Sequence, residues 1–109
     1  MKATIVAALL VCVSTAAQAE CVTVKYRDGA CVPLEKLECK STVSSFIDRL
    51  CYDEKNSYML LLLKETWYHY CNIPKDEVDR FLSSESLGRF YNQEIKGKFG
   101  CRGQPVPTY

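Results

Sequence analysis

The residues best suited to chemistry in this sequence are seven cysteines and a single histidine, His69. Thiol–disulfide enzymes place a reactive thiolate beside its partner in a C-x-x-C pair, and the sequence has no such pair. A zinc site needs Cys and His ligands at set spacings, which are absent here. There is also no Ser-His-Asp order and no phosphate-binding glycine loop. We therefore predict no enzyme activity, no metal and no cofactor, with a Cys/His enzyme or metal protein as an alternative.

The first nineteen residues predict export. Lys2 provides a short basic region, residues 5–13 are apolar, and Ala-Gln-Ala at 17–19 forms a cleavage site. The apolar run is shorter than the roughly 20 residues that a membrane helix needs. We predict a signal peptide over residues 1–19 that is cleaved between Ala19 and Glu20, which makes the mature protein periplasmic or secreted.

Export determines what the cysteines are expected to do. Cys12 leaves with the signal peptide, so the mature chain of 90 residues keeps an even six, namely Cys21, Cys31, Cys39, Cys51, Cys71 and Cys101. An even number in an oxidising compartment predicts three disulfides. Each contributes about 2–4 kcal/mol, which is a large share of the stability of one small domain.

Charge constrains the partners. Without Lys2 the chain has 13 basic and 13 acidic residues, so it has no overall basic field of the kind that general nucleic-acid binders use. Residues 88–102 are locally basic because four cations accompany one acid, Glu94. This segment is either a site for an anionic ligand or a solvated helix face.

The part before residue 44 is predicted to be an N-terminal extension, residues 20–43. Residues 22–26 alternate as a strand, and Asp28-Gly29 suits a tight hairpin turn into a second arm over 31–34. At the other end, residues 103–109 contain two prolines and are predicted to form a flexible tail.

Three apolar runs, 45–52, 57–64 and 66–73, predict an antiparallel three-stranded meander. We place two sets of side chains on opposite faces by their alternation. The set expected to pack against the helices is Leu50, Tyr52, Tyr58, Leu60, Leu62, Tyr68 and Tyr70. The set expected to pack against the extension is Cys51, Met59, Leu61, Leu63, Trp67, His69 and Cys71.

Two short helices are predicted to follow the meander. The first begins at Pro74 and repeats apolar residues at helical spacing through Leu82. The second is capped by Ser86 and stopped by Gly97. The predicted fold is therefore α+β, with a three-stranded antiparallel meander, two short helices and a disulfide-linked N-terminal extension.

Strand geometry limits the disulfide pairing. If Cys51 and Cys71 flank Met59 in one row, two strand spacings separate their Cα atoms by about 10 Å, beyond the roughly 7 Å that a disulfide spans. We therefore expect Cys39 and Cys101 to pair with them in either order, which leaves Cys21 with Cys31. That last bond conflicts with a regular hairpin at Asp28-Gly29, so one of these two predictions is wrong.

Two segments carry a family resemblance over residues 44–99. Tyr68-His69-Tyr70 precedes Ile-Pro at 73–74, and residues 88–99 read Gly-Arg-Phe-Tyr-Asn-Gln-Glu-Ile-Lys-Gly-Lys-Phe. Together they resemble the KTSC domain, which is named for the C-terminus of some lysyl-tRNA synthetases and also occurs as small single-domain bacterial proteins. The resemblance implies a KTSC-like domain, predicted here over residues 44–102, for which RNA binding has been suggested. The signal peptide, the cysteines and the extension depart from the family pattern.

Candidate binding residues follow from this resemblance and from the local charge. Tyr68 and Tyr70 occupy the Tyr-x-Tyr positions, and the closing motif adds Arg89, Asn92, Lys96 and Lys98. Tyr52, Tyr58 and Trp67 extend the aromatic set, which is either a stacking platform for bases or sugars or, as we favour, core packing.

The function predicted from sequence is an exported, disulfide-stabilised binding or interaction module that uses residues 89–102. Its expected partner is a protein or an anionic ligand outside the cytoplasm. The first alternative is binding of RNA or other single-stranded nucleic acid by aromatic and basic residues. Self-association through the apolar run 59–63 is a further possibility.

Overall fold

The computed structural model describes residues 20–109, so the predicted signal peptide, its cleavage site and Cys12 lie outside the described residues. These residues form a small α+β fold with two antiparallel sheets and two helices. The fold class is therefore as predicted. Neither helix in this part of the chain is long and apolar enough to cross a membrane.

The main sheet has four strands in chain order, not the predicted three. Its strands are β3 (Glu38–Ser41), β4 (Ile47–Asp53), β5 (Tyr58–Leu63) and β6 (Thr66–Tyr70). The added strand β3 comes from the extension and pairs with β4. Its side chains are mostly exposed and show no apolar alternation, which is why the sequence pattern did not predict it.

The extension also forms a two-stranded sheet from β1 (Cys21–Val22) and β2 (Val32–Pro33). The predicted tight hairpin at Asp28-Gly29 is wrong, because the pairing of Val22 with Val32 leaves residues 23–31 as a loop. Within that loop, Val24 bridges in parallel to Trp67 of the main sheet. A short 3-10 turn, Leu34–Lys36, connects β2 to β3.

The assignment of faces was correct for β4 and β6 and wrong for β5. Met59 and Leu61 pack with Leu50 and the helices, whereas Tyr58 and Leu60 pack with the extension. Side chains of directly paired residues lie on the same face of the sheet. Because the connecting loops have four residues (54–57) and two residues (64–65), most even-numbered positions of one strand pair with odd-numbered positions of the next. The even loop lengths therefore shift the side chains of β5 by one position relative to the prediction.

Two helices cover one face of the sheet, as predicted. The first, α1 (Lys75–Ser83), follows Pro74. The second, α2 (Leu87–Phe90), begins where the Arg89 backbone N–H donates to Ser86 Oγ over 3.2 Å. It continues as a wider π-helical turn, Tyr91–Ile95, which ends before Gly97 at φ +77°. The buried residues of this layer include Ile73, Val78, Phe81, Tyr91 and Ile95.

Three disulfides link the chain as Cys21–Cys31, Cys39–Cys51 and Cys71–Cys101. The predicted pairing is confirmed, and the structure selects one of the two orders left open. The row through Cys51 continues to Leu60 and His69, so the prediction that Cys51 and Cys71 flank Met59 in one row is wrong. The Cys21–Cys31 bond fits because the tight hairpin that it would have contradicted is absent.

The last seven residues, predicted as a flexible tail, have specific contacts in the structure. Val106 packs against the core on the extension side of the sheet. The hydroxyl of Tyr109 donates to Asp53 Oδ2 over 2.7 Å. The tail is therefore held against the extension side of the sheet by Val106 and against the end of β4 by Tyr109.

Candidate functional site

A cleft of about 760 Å³ lies over the outer edge of β6, and we call it the β6 cleft. Its floor is Tyr68, His69 and Tyr70. One wall is the loop segment 26–28 and the other is the segment 100–104, with Val106 beside it. The cleft therefore brings the edge strand of the sheet together with segments near both ends of the described chain.

Backbone hydrogen bonds fix both walls to the edge strand. The Lys25 N–H donates to the Trp67 carbonyl over 2.9 Å, and the Cys71 N–H donates to the Phe99 carbonyl over 2.8 Å. The Cys71–Cys101 disulfide ties the second wall to the strand end covalently. These bonds hold the two walls apart at either end of the strand.

A partly buried chain of polar groups lies behind the floor. Arg27 Nη1 donates to Tyr58 Oη over 3.1 Å, and Tyr58 Oη lies 2.9 Å from His69 Nδ1. The Tyr58 side chain is fully buried, so its hydroxyl proton needs an acceptor, and His69 Nδ1 is the one in reach. We assign the His69 proton to Nε2 on this basis. His69 Nε2–H is therefore free to donate a hydrogen bond to a ligand.

Burial lowers the pKa of His69, and the nearby charge of Arg27 lowers it further. Both effects disfavour the imidazolium form. Burial raises the pKa of Tyr58, although its hydrogen bond and proximity to Arg27 act in the opposite direction. At neutral pH the imidazole in the floor is therefore neutral, and so is the Tyr58 phenol behind it.

Arg27 is held by the tail as well as by Tyr58. Its Nη2 donates to the Pro107 carbonyl, and its Cζ lies 5.9 Å from the centre of the Tyr109 ring. Its Nε is buried and has no hydrogen-bond partner among the described residues. Arg27 therefore contributes positive charge to the cleft while most of its donors are committed or buried.

Tyr109 in turn contacts Asp53, which also accepts from Asn56 Nδ2 over 2.6 Å. Burial alone would raise the pKa of Asp53, but the hydrogen bonds from Asn56 and Tyr109 outweigh it and lower the pKa. Burial and the adjacent carboxylate raise the pKa of Tyr109. The ionised carboxylate thus anchors the tail.

The rim of the cleft carries exposed aromatic and cationic groups. Tyr26 is 79% exposed, and its ring centre lies 6.4 Å from that of Tyr68. Lys25 Nζ lies 5.2 Å from the Tyr26 ring centre and 5.7 Å from that of Tyr68. Tyr26 also has φ +68°, a left-handed conformation that is strained for a bulky residue. Arg102 adds an exposed cation on the opposite wall.

The structure divides the binding residues predicted from sequence into two groups. Tyr68 and Tyr70 both line the β6 cleft. Tyr68 is half-buried, whereas Tyr70 is buried with its hydroxyl 2.8 Å from that of Tyr91. Burial and this neighbour raise the pKa of Tyr70, which keeps it neutral. The other four residues, Arg89, Asn92, Lys96 and Lys98, are exposed and do not line the cleft.

The wider aromatic set is mostly core. Tyr52, Tyr58 and Trp67 are buried, and the Tyr52 hydroxyl donates to the Ile73 carbonyl over 2.7 Å. These three rings therefore present no open platform. The most exposed aromatic residue of the described chain is Tyr26, which sequence reasoning did not single out. Its available signal was the alternation of cations and an aromatic ring in Lys-Tyr-Arg at 25–27.

All six cysteines of the described chain are in disulfides, so none offers a free thiolate. Across residues 20–109, no group of three or more His, Cys, Asp or Glu side chains is placed to hold a metal ion. The chemistry available in the cleft is therefore hydrogen bonding, aromatic contact and positive charge.

Comparisons with known proteins agree on a family. The KTSC domain model matches residues 43–99. The crystal structure of a KTSC domain protein from Yersinia pestis is similar at 31% identity and a TM-score of 0.57, covering 59% of this chain and 92% of that one. No curated protein matches this chain. The family match spans β4 to β6 and both helices, and the cleft walls at 26–28 and 100–104 lie outside it.

Proposed function

Because the chain belongs to the KTSC domain family, we propose that it is a disulfide-stapled binding module that acts outside the cytoplasm and takes its ligand in the β6 cleft. The observation that carries this proposal is the cleft itself. Its floor is the Tyr-x-Tyr strand of the family domain, and its walls are segments that this chain adds on either side. A binding surface at the family motif is thereby enclosed by parts that lie outside the family match.

The compartment is supported by two features. The three disulfides suit an oxidising environment, and the first nineteen residues have the pattern of a cleaved signal peptide. Intact mass of the exported protein tests this part directly. We expect a chain that begins at Glu20 with six oxidised cysteines, and a retained Met1 or free thiols would contradict export.

A role in binding without catalysis is supported by the state of the reactive groups. The cysteines are oxidised, and His69 is engaged at Nδ1 by a buried phenol. The accessible groups of the cleft rim are instead ones that recognise ligands: Tyr26, Tyr68, Lys25 and Arg102. Exposed aromatic rings with adjacent cations are common in binding surfaces.

A second candidate, single-stranded nucleic acid as the ligand, is favoured by one specific observation. Lys25 lies close to both the Tyr26 and Tyr68 rings. Bases could stack on these rings while the Lys25 ammonium group contacts the phosphates. This alternative predicts oligonucleotide binding that weakens steeply with salt. Negligible binding at low salt would exclude it.

The cleft itself is tested with a photo-crosslinking amino acid placed at one exposed position at a time. Tyr26 is the test position, and Val43, which is 97% exposed and does not line the cleft, is the matched control. A third position, Lys96, tests the exposed helical segment predicted from sequence. We expect adducts in exported material from Tyr26 and not from Val43.

Adducts from Lys96 alone would move the binding surface to the exposed segment 89–98, away from the cleft wall at 100–104, and overturn the cleft proposal. Equal adducts at all three positions would show non-specific capture and would also count against it. Treating the Tyr26 adduct with protease or nuclease then identifies the class of ligand.

A further inference from the structure

We infer that the ligand of the β6 cleft is an extended acidic polypeptide segment that pairs with the backbone of His69 as a short added strand. This inference rests on the proposed function, since it names the ligand class for the same cleft. It is carried by the unpaired edge of β6 and by the charge around it.

The backbone of His69 faces the cleft. N–H and C=O groups along a strand point alternately to its two sides, so Trp67, His69 and Cys71 point the same way. The Trp67 carbonyl and the Cys71 N–H are bonded to Lys25 and Phe99, away from β5. The N–H and C=O of His69 must therefore also point outward, and no bond to either is present among the described residues.

An exposed donor and acceptor on one strand residue form the pairing unit of an antiparallel ladder. Pairing through such an edge is a common mode of peptide recognition. From Trp67 to Cys71 the strand rises about 13 Å, at roughly 3.3 Å per residue. The opening thus admits about four residues of an extended chain, with one residue forming both hydrogen bonds to His69.

The charge of the cleft favours an acidic segment. Lys25, Arg27 and Arg102 stand on or beside the walls, and Asp28 is the one acidic residue that lines it. An acidic side chain next to the paired residue would meet Arg102 or Lys25, whose charged groups are exposed and have no carboxylate partner among the described ion pairs. The adjacent Tyr26 and Tyr68 rings offer an apolar surface for the following residue.

A second copy of this chain is a poorer occupant. Edge-to-edge pairing of two β6 strands would need a long open edge on both partners. Here the walls at 26–28 and 100–104 flank the edge, and His69 is the residue between them whose outward N–H and C=O are both unbonded among the described residues. A flexible single segment can enter between these walls, whereas another walled edge cannot approach.

The ligand class is tested by selection from a phage library of random 12-residue peptides against the oxidised mature protein. We expect enrichment of sequences with net negative charge that also bind as free peptides. Methylating the backbone nitrogen of the peptide residue that pairs with His69 should lower the affinity of the peptide at least tenfold. Methylation at the neighbouring residues should change the affinity little. No enrichment, or uniform tolerance of N-methylation, would overturn the inference.

The pairing residue is tested by comparing His69→Pro with His69→Ala. Both remove the imidazole, but only proline removes the outward N–H, and proline is tolerated at edge positions whose N–H faces outward. Peptide affinity should fall at least tenfold further for His69→Pro than for His69→Ala. Equal affinities would contradict pairing at this residue.

Amide hydrogen exchange of the wild-type protein gives an independent readout that does not depend on whether His69→Pro folds. The His69 amide should exchange faster than those of Tyr68 and Tyr70, and the selected peptide should slow it. An unchanged His69 amide in the saturated complex would overturn the inference. Crosslinking at Tyr26 to a nuclease-sensitive ligand would overturn the peptide inference but leave the cleft proposal intact. Absence of crosslinking at Tyr26 would overturn both the inference and the cleft proposal.

Discussion

His69 is kept neutral by its surroundings, and this determines what it presents to the cleft. Burial and the positive charge of Arg27 lower its pKa, and Tyr58 occupies Nδ1. The same interactions couple folding to pH, because the unfolded chain binds a proton at the ordinary histidine pKa while the folded chain does not.

We predict that lowering the pH from 7.5 to 5.5 destabilises the protein through His69. Since the folded pKa lies below the unfolded value of about 6.5, the unfolded state takes up more protons as pH falls through this window, and stability is lost. The loss is limited to about 1.4 kcal/mol per pH unit, the value for one proton. Urea unfolding at several pH values measures it.

His69→Gln is the matched control, because glutamine stays neutral and can still accept a hydrogen bond from Tyr58. This is the chain's sole histidine, so the variant should show a flatter pH dependence in the same window. Identical slopes for the two proteins would show that His69 is not the group responsible. The lowered pKa of Asp53 acts separately, since its contribution is lost only in more acidic solution.

Tyr26 combines high exposure with a backbone conformation that is strained for a bulky side chain. We predict that the free energy of unfolding of Tyr26→Gly is about 1 kcal/mol higher than that of Tyr26→Ala. Both variants lose the ring, but only glycine adopts φ +68° without strain. Thermal unfolding of the two variants gives the difference. If alanine is as stable as glycine, the backbone at 26 is not strained.

At the scale of elements, loop length decided which face each strand presents. The three apolar runs that form β4, β5 and β6 were readable from sequence, and so were the helix start at Ser86 and its stop at Gly97. The register between strands was not, because the positions of turn residues such as Ser57 and Lys64, both at positive φ, depend on how the loops close. Because β5 is apolar at every position, its sequence is compatible with either face and does not reveal the one-residue shift in register.

Strand β3 and the π-helical turn were missed for a related reason. A short exposed edge strand is held by pairing and by the Cys39–Cys51 bond, not by its own apolar pattern. The widened turn at Tyr91–Ile95 places Tyr91 and Ile95 in the core, and a regular helical period does not distinguish it. Tertiary contacts therefore decided both elements.

The contact between α2 and the start of β4 gives a prediction at this scale. A Cβ at Gly88 would lie 2.7 Å from Phe46 Cε1, and the Phe46 ring packs edge-on against Tyr91 at 5.8 Å. We expect Gly88→Ala to lower the free energy of unfolding by about 1–2 kcal/mol, because overpacking of about 1–3 kcal/mol exceeds the helix propensity gained. Chemical denaturation measures the change.

Gly100→Ala is the control, since a Cβ there meets no atom within 4 Å and its φ is not positive. Adding Phe46→Leu to Gly88→Ala should recover part of the loss, and that interaction energy identifies the clash. A Gly88→Ala variant as stable as the wild type would show that the ring moves aside at little cost.

At the scale of the molecule, the cleft could not be read from sequence because no single segment contains it. The Tyr-x-Tyr floor was predicted, but the walls are joined to this strand by contacts between distant residues, among them the Val24 bridge, the Phe99 carbonyl and a disulfide with a sequence separation of 30. The basic residues that sequence grouped with the tyrosines lie on an exposed helical segment instead. Distant contacts, which alternation and spacing do not encode, brought Tyr26 and Arg27 to the site.

Those distant contacts make the three disulfides unequal, and removing them one at a time should show it. The bonds close sequence separations of 10, 12 and 30 residues. Restriction of the unfolded chain then gives about 2.7 kcal/mol for the shortest loop and about 3.6 kcal/mol for the longest. Cys71 and Cys101 are also buried, whereas Cys21 and Cys31 are exposed, so the long loop loses packing as well.

We therefore predict that the double variant Cys71→Ala/Cys101→Ala is less stable than Cys21→Ala/Cys31→Ala by at least about 1 kcal/mol in urea unfolding. Because Cys101 lies in one wall of the cleft, the first variant should also weaken crosslinking at Tyr26, even under conditions where it is fully folded. The second variant should leave that crosslinking closer to wild type. If the two variants are equally stable and crosslink equally, the long-range bond neither supports the fold more than the local one nor holds the wall in place.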